Sequence, residues 1–87
     1  MEKYITEFVG TLILVYVILI TKSPLAIGIT LTAIILASNK SSGHFNPAVT
    51  VALSFAGMIQ KREVLPFCLS QIFGGIMGIQ LYILTKK

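Results

Sequence analysis

The sequence is short of charge. Of its 87 residues 11% are charged and 55% hydrophobic, and the mean hydropathy is +0.90, too apolar for an ordinary soluble domain of this length. The scarcity excludes more than solubility. Three scattered glutamates and the single histidine, His44, supply no carboxylate pair, metal cluster or nucleophile with its base, so neither enzyme chemistry nor a cofactor is expected. Cys68 is the only cysteine; it forms no internal disulfide, reads as a small core residue, and leaves the redox compartment undetermined. The formal net charge of +4 does not gather into a patch, because the seven basic residues stand singly or in pairs at the ends of apolar runs. That is how membrane anchors are placed, and it argues against a nucleic-acid partner.

What is present is a set of apolar runs, and their lengths predict an all-α membrane protein whose first partner is the lipid bilayer. The run 4–21 is about 27 Å of helix, nearly the thickness of a hydrocarbon core, and is expected to be transmembrane helix one. It carries Glu7 and no convincing small-x-small site follows it, so it is read as a retained anchor and not a cleaved leader. Two readings of Glu7 stand open: a carboxylate near the helix start reaching interfacial water, or one with donors in the bundle interior. After the tight break Lys22-Ser23-Pro24, helix two is expected over 24–39, antiparallel to the first. The run 64–85 spans comfortably as helix three. It contains Gly74-x-x-x-Gly78, a notch for close helix approach, and Gln71, whose simplest role is an interhelical hydrogen bond.

Between helices two and three lies the stretch Ser41-Ser42-Gly43-His44-Phe45-Asn46-Pro47-Ala48-Val49-Thr50, polar and broken by Gly and Pro. Asn46 is a favoured N-cap and Pro47 suits the first helical position, so a helix is expected over 47–58. At about 18 Å it cannot span. Irregular backbone at membrane depth survives only where protein buries it or where it lines a water-filled cavity. The loop 40–46 is therefore expected to re-enter the membrane and turn at Asn46, and the half-helix to return towards the charged turn Gln60-Lys61-Arg62-Glu63. Ala48, Ala52 and Ala56 recur every fourth residue along it, a stripe suited to close packing, and Thr50 and Ser54 repeat on another face. With its side-chain oxygen capping the helix, the Asn46 amide can donate to a passing molecule, beside acceptor carbonyls of Ser42, Gly43, His44 and Phe45. Such a path favours small neutral molecules that both donate and accept hydrogen bonds, water or a small polyol, and opposes protons and cations.

Three motifs fall in one order. Gly43-His44-Phe45-Asn46-Pro47-Ala48-Val49-Thr50 resembles the first signature loop of the aquaporin and aquaglyceroporin family. Glu7-Phe8-x-Gly10-Thr11 resembles that family's first-helix motif, and Ser70-Gln71-x-x-Gly74-Gly75 its third-helix pattern. The resemblance implies an aquaporin-like half: three transmembrane helices plus one re-entrant half-helix. It implies that Asn46, Pro47 and Ala48 form the first pore signature, with Gly43, His44 and Phe45 lining the pore chiefly through backbone. Glu7 would brace the re-entrant loop, and Gln71 would be the family's inward-facing glutamine.

Family members carry a second, inverted half with another Asn-Pro-Ala followed by a filter arginine, and this sequence contains neither. Val49 stands after Ala48, Ser42 replaces a usual Gly, and Ile27, or Ala26 without a one-residue loop deletion, falls at the filter position of helix two. The expected function is a passive channel, or half of one, for water or small neutral solutes such as glycerol. The alternative is a non-conducting truncated half or membrane assembly subunit; a transporter ranks below both because no ionisable pair couples an ion. The expected partner is a further copy in a homo-oligomer, an inverted copy of the chain, or a separate second half. With the amino terminus inside, Lys3, Lys40, Lys61 and Arg62 face Lys22, Lys86 and Lys87 across the membrane, a bias weak enough to permit insertion in both orientations.

Overall fold

A computed structural model describes residues 2–38 and 43–86, and over them the chain is helical without strands. The expected loop residues Lys40, Ser41 and Ser42, and Asn39 at the expected end of helix two, lie outside the described residues. Helix α1 runs Glu2–Thr21, two residues earlier than the apolar run, and α2 Pro24–Ser38. Helix α3 is Pro47–Phe55, a 3-10 turn covers Lys61–Glu63, and α4 is Val64–Thr85. Two helical stretches, Glu2–Thr21 and Lys61–Thr85, are long and apolar enough to cross a membrane; Pro24–Ser38 is apolar but only 15 residues long.

Two helices start by the same local chemistry. The Ser23 hydroxyl accepts from the Ala26 amide at 3.2 Å with Pro24 next in the chain, and the Asn46 Oδ1 accepts from the Ala48 amide at 2.8 Å with Pro47 next. In each a capping side chain takes an amide the helix leaves free, and the proline gives up an N–H that has no helical partner. Helix α3 stops three residues before the expected Met58. Gly57 adopts φ 77°, its amide donates to Ser54 O at 3.0 Å, and Met58 N–H reaches back to Leu53 O at 2.9 Å. This left-handed glycine closure ends a helix whatever the apolar pattern beyond it.

Helices α1 and α4 run parallel. Lys3 Nζ donates to Glu63 Oε1 at 2.7 Å at the end where both begin, and Tyr16 Oη meets Thr85 Oγ1 at 2.8 Å near the other. The buried residues of α1 are Glu7, Gly10 and Thr11, and those of α4 are Phe67, Gln71, Gly74 and Gly78; both sets keep helical spacing and so form single stripes. The stripes meet at backbone distance. A methyl group on Gly74 would overlap the Phe8 carbonyl, and one on Gly78 would sit 2.7 Å from Leu12 O.

The distribution of polarity is inverted relative to a soluble domain. Among the described residues the buried apolar side chains are Phe45 and Phe67, and the buried polar ones are Glu7, Thr11, His44, Thr50 and Gln71. The outer faces are apolar: Leu25, Leu36, Leu65 and Leu84 are each at least 66% exposed. Water would penalise that surface, and a lipid solvent does not.

Candidate functional site: the loop pinned beneath Asn46

The loop that leads into α3 is held by one side chain. Glu7 is fully buried, its Oε2 accepting from the His44 amide at 3.0 Å and its Oε1 from the Phe45 amide at 2.7 Å. Gln71 Nε2 also donates to Glu7 Oε1, at 2.9 Å, and to Thr50 Oγ1, at 2.8 Å. His44 Nδ1 lies 2.8 Å from the same Thr50 hydroxyl. The Thr50 hydroxyl, with one proton and two lone pairs, accepts from Gln71 and has capacity left for His44 Nδ1 in either tautomer. One carboxylate thus ties α1, the loop and α4 together, and Thr50 adds α3. A carboxyl group this deeply buried is stable only with such a complement of hydrogen-bond donors.

The packing around this network is equally specific. Phe45 is 4% exposed and has φ 53°, a left-handed conformation that costs a non-glycine residue about 1–3 kcal/mol. The conformation is imposed by its surroundings: its amide is bound by Glu7, and its ring rests where Gly10 has no side chain. The His44 ring lies 4.6 Å from the Phe67 ring, which meets Tyr4 edge-on at 5.0 Å.

These contacts fix the level of the turn. Gly10 is about 12 Å along α1 from Glu2 and about 16 Å from Thr21, so the loop touches α1 near its middle. The chain beyond α3 returns to the end of α1 where Lys3 holds Glu63. Helix α3 therefore starts beside the middle of α1 and leads back to its first turn.

The candidate residues divide by exposure. Glu7, Gln71 and the side chains of His44 and Phe45 are buried, Gly43 and Pro47 are half-buried, and Asn46 and Ala48 are exposed. With its oxygen in the cap, Asn46 has its amide NH2 left to donate. Ile27 is apart from this group, in the first turn of α2, about 16 Å along the helix from Ser38. Ala48, Ala52 and Ala56 are all exposed, so α3 has one face tied down through Thr50 and another that is open. Thr50, Gly10 and Phe67 were not expected at the site, although Thr50 closes the loop motif and Gly10 belongs to the first-helix motif. Thr11 Oγ1 and Gln71 Oε1 are buried without a hydrogen-bond partner. Among the described residues no three His, Cys, Asp or Glu side chains gather as metal ligands.

Two span-length apolar helices around a small polar core, with a loop pinned beside the middle of a helix by a buried carboxyl group, fit a helical membrane protein. The model of the family described as major intrinsic protein matches residues 18–87. Aquaporin Z of Photorhabdus laumondii is 36% identical over 103 residues, covering 99% of this chain and 45% of that protein. Aquaporin-8 of Mus musculus is 36% identical, covering 92% of the chain and 35% of the relative. For glycerol uptake facilitator protein-like 6 of Lactiplantibacillus plantarum the identity is also 36%, with 90% and 41% covered. No solved structure matches. The chain belongs to the major intrinsic protein family, and it spans under half the length of these curated relatives.

Proposed function

We propose that this chain is one half of a passive channel for water or small neutral solutes such as glycerol, with three membrane-spanning helices, α1, α2 and α4, and α3 as a half-helix entering from one side. The observation that carries the reading is the pinning of His44 and Phe45 by Glu7 beside the middle of α1, with Asn46 exposed at the turn. The start of α3 directs its partial positive charge towards the membrane centre. Asn46 offers a donor there, and the loop carbonyls of Gly43, His44 and Phe45 offer acceptors. A neutral molecule that donates and accepts exchanges its water bonds for these, while a proton or cation meets the positive helix end. Ile27 stands nearer the other mouth, where its side chain narrows the path.

The open face of α3 is closed by a second, inverted half. Its exposed stripe of Ala48, Ala52 and Ala56 lets another helix approach closely in lipid, where small residues supply the packing. Inverted pairing brings two half-helix starts together at the midplane. In a membrane holding only this chain, the second half is an inverted copy in a homo-oligomer.

The test is thiol accessibility in a Cys68→Ser background. Asn46→Cys and Val49→Cys should react with a small charged thiol reagent that does not cross lipid, while Ile72→Cys, at a position 49% exposed on the outer face of α4, should not. Equal inertness at all three positions, in protein shown to be inserted and helical, would mean that no aqueous path reaches α3.

A further inference from the structure

The end of the molecule where α1 and α4 begin carries a cavity of 780 Å3 that conduction past Asn46 leaves unexplained. Its wall is of two kinds, polar from Lys3, His44, Gln60 and Arg62, and apolar from Leu53 and Met58. The charges around it do not balance. Lys3 is bonded to Glu63 at 2.7 Å, and Arg62 lines the same cavity as both. Among the described residues no carboxylate pairs with Arg62. The wall of an open cavity therefore holds two cations against one carboxylate, with Arg62 the cation left over.

Two further considerations point to the ligand. The span-length stretches Glu2–Thr21 and Lys61–Thr85 both start here, which puts the cavity at the level of lipid headgroups. Arginine presents a planar fork that fits phosphate oxygens in pairs. A free anion would use only the cations, whereas an amphiphile uses both kinds of wall.

We propose that this cavity seats the headgroup of an anionic phospholipid, with Arg62 and Gln60 on the phosphate and the start of an acyl chain along Leu53 and Met58. The inference rests on the chain's place in a bilayer and not on conduction, so a chain that passes no water still carries the site.

The test uses the full chain in phosphatidylcholine bilayers with trace spin-labelled phosphatidylglycerol or phosphatidylcholine, reading the motionally restricted fraction of each. The wild-type chain should prefer phosphatidylglycerol. Arg62→Gln should reduce that preference about fivefold, through loss of the paired phosphate contact that only the guanidinium in the cavity wall makes. Lys61→Gln, which removes the same charge from a neighbour outside the cavity wall, should change it far less. No preference in the wild-type chain, or equal loss in both variants, would overturn the site. Displacement of the labelled lipid by millimolar inorganic phosphate would overturn the lipid assignment in favour of a free anion.

Discussion

The seam between α1 and α4 and the flank of α2 are built from similarly apolar sequence and packed in opposite ways. Along the seam the backbones touch: Gly74 and Gly78 lie against Phe8 and Leu12, and Glu7 and Gln71 are bonded at its centre. Helix α2 buries none of its residues, and Gly28 has nothing within 4 Å of where a side chain would start. Its hydroxyls turn back on their own helix, Thr30 to Ala26 O and Thr32 to Gly28 O, each at 2.8 Å. Lipid tails are as apolar as leucine, so apolar side chains alone do not draw helices together in a membrane. Close approach and polar bonds do; among the described residues α2 makes no side-chain hydrogen bond to another helix, and it packs on α1 more loosely than α4 does. The seam is closely packed within the chain, and α2 with the open face of α3 is the surface on which the proposed second half would dock.

The largest test of that contrast removes the seam's central group. Glu7→Ala leaves the His44 and Phe45 amides and one of the two Gln71 Nε2 hydrogens buried without an acceptor, and at about 1–3 kcal/mol for each orphaned donor should cost about 3–5 kcal/mol. The unfolding midpoint by far-UV circular dichroism in detergent reads it. One substitution made in both regions sharpens the comparison. Gly74→Ala drives a methyl group into the Phe8 carbonyl and should destabilise by about 1–3 kcal/mol. Gly28→Ala enters open space and should be neutral or stabilising by up to about 1 kcal/mol through helix propensity. Equal effects at the two glycines would remove the distinction. The smallest effect belongs to Lys3→Met, which breaks a pair part-open to solvent and should leave the midpoint unchanged.

The helical class and the family were legible because each rests on local pattern: apolar run lengths, and three motifs whose residues lie within a few positions of one another. Helix starts at Pro24 and Pro47 were legible for the same reason. The end of α3 was readable too, at Gly57, but the apolar pattern extended past it and hid the closure. What the sequence could not supply was the meeting of distant groups. Glu7 could be named as a carboxylate in an apolar helix, yet whether it faced interfacial water or the bundle depended on amides 37 and 38 residues away and an amide side chain 64 away. Thr50 carried no mark that it would join His44 to Gln71. The left-handed backbone of Phe45 was likewise invisible, because the ring is held by packing against Gly10 rather than by any local preference.

The central claim is that Asn46 lines a path for small neutral molecules, and the most direct measurement is stopped-flow osmotic shrinkage of proteoliposomes holding only this chain, beside Asn46→Asp. The account predicts shrinkage faster than in empty liposomes, with the gain lost when the donating amide becomes a carboxylate. Shrinkage equal to that of empty liposomes, with the protein inserted and helical, would contradict pairing of inverted copies into a pore; a gain untouched by Asn46→Asp would contradict the place given to Asn46.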